Sequence, residues 1–125
     1  METKTILEIW FELSLFQSQL KLLHWAARNH ARHMAIGELY DDVEDLIDEF
    51  SEIVISNNTK PTAESASKMT NFIINDNSDL TEKYLKEKLD FLAKIRVKCT
   101  DAQKSVLDSL VSKIERCITK LNYYI

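Results

Sequence analysis

The sequence contains one glycine and one proline in 125 residues, so it lacks the punctuation that a many-turned β protein needs. What can be built without it is a set of helices joined by short loops. Cysteine is scarce as well. Cys99 and Cys117 are the only two, both fall in stretches of helical pattern, and their spacing fits no metal motif. They read as reduced core thiols of a reducing compartment, not as a disulfide framework or thiolate site. No run of about 18 apolar residues is present to span a bilayer, and Met1-Glu2-Thr3-Lys4 leads straight into an amphipathic segment without a signal-peptide layout. The expectation is a soluble, cytoplasmic protein with no membrane partner. Positive charge is also not in excess: 16 Lys and Arg face 20 Asp and Glu, for a net charge of -4. That balance argues against a protein whose main work is gripping nucleic acid, and an acidic surface suits cations better. A glycine-rich phosphate loop is missing, and no serine, cysteine or lysine stands in a nucleophile arrangement with a base. Nucleotide-binding and hydrolase readings fall away with them.

What is present is apolar periodicity, with 45% hydrophobic residues in a chain long enough for one domain, residues 1–125, to bury its own core. Thr5-Ile6-Leu7-Glu8 has capping-box form, and Ile6, Ile9, Leu13, Phe16, Leu20 and Leu23 then recur at threes and fours, predicting a first helix from about Thr5 to about Ala27. Asn29 is the residue suited to turn the chain, since asparagine tolerates the left-handed conformation that ends helices. Ile36, Leu39, Val43, Leu46, Ile47, Phe50 and Ile53 mark one face of a second helix over His30 to Ile55. Ser56 to Pro61 is the clearest break. Thr62 to Ile74 suggests a short helix across a crossover, and Asn75 to Ser78 a second loop. Capping boxes at Asp79-Leu80-Thr81-Glu82 and Thr100-Asp101-Ala102-Gln103 open a third and a fourth helix. The third carries Leu85, Leu89, Leu92 and Ile95; the fourth has a seam of Leu107, Leu110, Ile114, Cys117, Leu121 and Tyr124. The fold class is therefore all-α, a four-helix bundle of two hairpins with a crossover that carries a short helix. Short connections within each half and one long connection between the halves match the ferritin-like layout better than a simple up-down-up-down bundle.

The three histidines, His24, His30 and His33, crowd the first turn. On an ideal helix His33, Gly37, Glu44, Asp48 and Glu52 fall along one edge of the apolar face of helix two, with Asp48 and Glu52 one turn apart. Two carboxylates and an imidazole can thus face one locus, although a solvated acidic flank would explain the same run, and Asp41, Asp42, Asp45 and Glu49 need no more than that. On one unbroken helix His24 and His33 would point to opposite sides, so they can share a metal only if the chain turns between them. A mixed set of imidazole nitrogen and carboxylate oxygen suits iron, manganese or zinc.

Leu22-Leu23-His24-Trp25, then His33, then Leu39-Tyr40-Asp41 and Asp48-Glu49-Phe50-Ser51-Glu52, resemble the signature of the Dps family, the mini-ferritins that protect DNA during starvation. The resemblance extends more weakly through Lys60-Pro61 to Ile114-Glu115-Arg116 and Leu121-Asn122-Tyr123-Tyr124. It implies an iron site between two subunits, with His24 and His33 from one chain and Asp48 and Glu52 from its partner, in a homo-oligomer of at least a dimer and up to a dodecamer. It also implies that Trp25 sits beside an oxidising metal centre, where an aromatic at a helix end otherwise serves core or interface. The sequence departs from the family in three ways. His24 and His33 are closer together than usual, as in shortened forms that resemble viral and phage sequences, which would put the protein in a host cytoplasm. Gly37 stands where the family has an acidic ligand, leaving Glu44 or a water to supply an oxygen. No lysine-rich tail precedes helix one, where only Lys4 stands, so DNA binding finds little support. Lys83, Lys86, Lys88, Lys94, Arg96 and Lys98 make helix three basic, but acids interleave with them and a solvated face is the simpler reading.

The function expected from these residues is ferrous-iron oxidation by peroxide or oxygen, a ferroxidase activity, with iron stored in an oligomeric shell. The alternative is a non-enzymatic ferritin-like assembly or interaction protein whose metal site has decayed at Gly37. A third reading, nucleic-acid condensation through an assembled surface, runs against the net charge.

Overall fold

Apolar side chains recurring at threes and fours wind into helices whose common stripe must be buried. The computed structural model, which describes residues 3–55 and 77–123, is made of four such helices: α1 (Thr3–Ala26), α2 (His30–Ile55), α3 (Ser78–Arg96) and α4 (Asp101–Tyr123). No strand occurs among the described residues. The predicted crossover helix, the break at Ser56 to Pro61 and Tyr124 lie outside them.

The helix ends show where side-chain caps compete. Thr100 and Gln103 form the expected reciprocal box: the Thr100 N–H donates to Gln103 Oε1 at 3.0 Å and the Gln103 N–H to Thr100 Oγ1 at 3.3 Å. At α3 the cap is not Asp79 but Asn77, in extended conformation, whose Oδ1 accepts from the Leu80 N–H at 3.1 Å. Asp79 falls in the first turn instead, where a carboxylate suits the positive end of the helix dipole. Helix α1 begins at Thr3, so the Thr5 to Glu8 box lies inside it and does not start it.

Contacts fix the direction of each helix. Trp10 Nε1 donates to Ser51 Oγ at 3.1 Å at one end of the α1/α2 pair, and His24 meets His33 at the other, so the two run antiparallel. The pairs Lys113–Asp42 and Lys120–Glu38 make α4 antiparallel to α2, Arg96–Asp108 and Asn122–Glu82 make α3 antiparallel to α4, and Lys88–Glu12 with Phe16–Tyr84 make α3 antiparallel to α1. Around the bundle the order is α1, α2, α4, α3, with the backbones of the diagonal pairs α1/α4 and α2/α3 nowhere close. Among the described residues α2 and α3 follow one another and are parallel, unlike neighbouring helices of an up-down-up-down bundle.

The core follows the sequence pattern closely. Ile6, Ile9, Leu13, Phe16, Leu20 and Leu23 of α1 are buried, as are Ile36, Leu39, Val43, Ile47 and Phe50 of α2; Leu46, Ile53 and Leu89 pack against them partly buried. Cys117 lies in the α4 seam and Cys99 is half-buried, both as free thiols. At the end where α1 finishes and α3 begins, buried Arg32 reaches across the bundle to donate to Thr81 Oγ1 at 3.3 Å, and the Thr81 hydroxyl donates to Asn77 O at 3.0 Å. Among the described residues no helix is long and apolar enough to cross a membrane.

Candidate functional site

The turn between α1 and α2 is only three residues long, and Asn29 makes it possible as a cap on the second helix. Its Oδ1 accepts from the Ala31 N–H at 2.8 Å and the Arg32 N–H at 3.4 Å. The tight reversal brings His24 and His33, nine positions apart, face to face, with ring centroids 3.7 Å apart and planes 21° from parallel. Each ring also bonds to the other residue's backbone. His24 Nδ1–H donates to His33 O at 2.7 Å, and His33 Nδ1–H donates to His24 O at 2.8 Å. Since only an N–H can serve a carbonyl, each imidazole carries a proton on Nδ1, and in the neutral ring Nε2 is then the nitrogen left for an acceptor or ligand role. A backbone carbonyl on Nδ1 is the usual outer partner of a metal-binding histidine.

Gly37 completes the arrangement. A Cβ built on it would lie 2.5 Å from His24 Cε1 and 2.7 Å from His24 Nδ1, a distance at which the ring must move. The space that an acidic ligand would fill is thus filled by His24 itself. Glu38, the neighbouring acid, is engaged by Lys120, whose hydrogen bond and charge hold its carboxyl below the ordinary value. His24 and Gly37 line an open groove of about 1050 Å³ along the outer side of α2, together with Trp25, Met34, Tyr40 and Asp41. Trp25 and Met34 are 68% and 56% exposed, so Trp25 takes no part in the core of this chain. The Lys21 ammonium lies 5.9 Å from the Trp25 ring and 5.6 Å from the Tyr40 ring.

The structure brings together half of the expected ligand set. Asp48 and Glu52 are exposed, one turn apart on α2, but Asp48 is fifteen positions beyond His33, roughly 22 Å along the helix at about 1.5 Å per residue. They cannot share an ion with the histidines of their own chain. Nor can Glu44, exposed eleven positions past His33. Among the described residues no three His, Cys, Asp or Glu side chains are grouped to hold a metal ion. His30 is the exposed first residue of α2. Three of the basic residues of α3 are paired: Lys86 with Glu82, Lys88 with Glu12 and Arg96 with Asp108. Sequence reasoning missed the buried Arg32 and Thr81; one arginine at threes and fours from apolar neighbours is a faint signal.

Comparison with known proteins places these features within one family. A family described as Family of unknown function (DUF5856) matches residues 24–124, a stretch that includes His24, His33, Asp48 and Glu52. No curated protein and no solved structure matches the chain.

Proposed function

The chain belongs to the family DUF5856, a family of unknown function, and from the geometry of its histidine pair we propose that it is a ferritin-like, Dps-like iron protein. Ferrous iron is its substrate, held between His24 and His33 of one chain and Asp48 and Glu52 of a second copy, oxidised by peroxide or oxygen and kept in a closed homo-oligomer. The observation that carries the reading is the histidine pair. The chain turns between His24 and His33, both Nδ1 atoms are committed to backbone carbonyls, and two Nε2 atoms remain.

Two further features support it. The order α1, α2, α4, α3 with parallel α2 and α3 is the arrangement that two hairpins and a long connection produce in ferritin-like bundles. Exposed Trp25 and Met34 beside the histidines form an apolar patch of the kind that another chain covers. Imidazole with carboxylate fits iron, and also zinc or manganese.

A second reading is favoured by Gly37. With no acid at that position and Glu38 engaged by Lys120, the same bundle serves as a ferritin-like assembly or interaction protein without redox chemistry. The deciding measurement is ferrous-iron oxidation followed by absorbance, with peroxide and with air, for the native protein and a His33→Ala/Asp48→Ala double variant of verified oligomeric state. Rapid oxidation that the variant loses supports the iron protein. A rate no higher than the protein-free blank leaves the assembly role.

A further inference from the structure

Gly37 is the only glycine in the chain, and it stands inside α2, where glycine is disfavoured relative to alanine by its greater loss of backbone freedom. The cost is accepted at one place, and at that place the nearest atoms a side chain would meet all belong to His24: Cε1 at 2.5 Å, Nδ1 at 2.7 Å and Nε2 at 3.4 Å. The Cε1–Nδ1 edge of the ring therefore occupies the space left by the missing side chain, with the His33 ring stacked on it. Displacing the ring from the notch would break the His24 Nδ1–H bond to His33 O. It would also free the imidazole to exchange its proton between Nδ1 and Nε2.

We propose that Gly37 is the positioning residue of the histidine pair: its missing side chain seats the His24 ring so that Nδ1 is committed to the backbone and Nε2 is kept as the donor to a divalent transition metal. This rests on the metal reading above and adds that position 37 contributes space and not a ligand. A further consequence is that the half-site of a single chain is nitrogen-only, so it follows the order of imidazole affinity. It takes cobalt, nickel or zinc in preference to magnesium or calcium.

The test is a double-mutant cycle on metal-free protein, using the native chain, Gly37→Ala, His24→Ala and the double variant. If the notch exists for the ring, alanine at 37 raises Tm by roughly 4 °C once His24 is gone, as helix propensity dictates, and fails to do so while His24 is present. An equal rise in both backgrounds overturns the proposal. The native tautomer is read separately by nitrogen-15 shifts of the imidazoles. A proton fixed on His24 Nδ1 in the native chain, exchanging in Gly37→Ala, supports the proposal; a proton on Nε2 in the native chain overturns it. Titration with cobalt(II) alone then separates the two readings. A cobalt band in the native protein that weakens at least tenfold in affinity in folded Gly37→Ala supports both, and unchanged affinity overturns the positioning role. Intact coupling with no cobalt uptake by the native chain upholds the seating of His24 and removes the metal function.

Discussion

Leu110 shows no exposed surface and lies in the seam of α4, so its truncation to alanine leaves a cavity that the surrounding helices cannot fill. Leu110→Ala is expected to cost about 2–5 kcal/mol of unfolding free energy in denaturant titrations, with the m-value unchanged. Cys117 sits in the same seam, and burial pushes its thiol from an ordinary value of 9.0 up to about 12. The sign follows from which state binds the proton more tightly. The folded chain keeps the thiol neutral while the unfolded chain ionises it, so the contribution is complete below about pH 9 and is lost as the pH rises towards 12. The fall in Tm between these values should be shallower in Cys117→Val than in the native protein, and Cys99 should react first with a thiol reagent at pH 8. Tyr84 acts in the same direction, because burial first, and then the charges of Glu12 and Glu87, raise its phenol, whose oxygen is buried without a hydrogen-bond partner among the described residues. Tyr84→Phe should therefore be tolerated with little loss of Tm near neutral pH.

Among the elements, the caps decide how firmly the ends of the bundle are held. Asn29→Ala removes the acceptor for the Ala31 and Arg32 N–H groups and should lower stability by about 1 kcal/mol. It should also speed amide exchange at the start of α2, which a change in the core would not do selectively. The helices and their buried faces were legible in the sequence because periodicity is a local property: the stripe from Ile6 to Leu23 and the seam from Leu107 to Leu121 are buried as their spacing requires. Cap choice was harder, since Asn77 and Asp79 are two residues apart and are comparable as caps. The site divides along the same line. The approach of His24 to His33 could be expected once a turn was placed at Asn29. The mutual Nδ1 bonds and the notch at Gly37 could not be, because both depend on ångström-scale packing between two helices, and sequence spacing does not encode it.

At the scale of the whole molecule, the chain carries a net charge of -4, and Lys86, Lys88 and Arg96 of α3 are each paired with an acid. If Trp25 and Met34 are covered by a second copy, as the proposed function requires, replacing both with glutamate should shift the protein to a smaller species in sedimentation while each chain stays helical. An unchanged sedimentation coefficient would remove this face from the assembly. The order of the helices around the bundle also sets where the two ends of the described chain lie. Helices α1 and α4 run in the same direction, so Thr3 lies at the Trp10–Ser51 end and Tyr123 at the histidine end, with about 36 Å of α1 between the two ends at about 1.5 Å per residue. An affinity tag of histidines joined beyond α4 would start from the end of the bundle that carries His24 and His33, whereas one joined ahead of α1 would start from the opposite end.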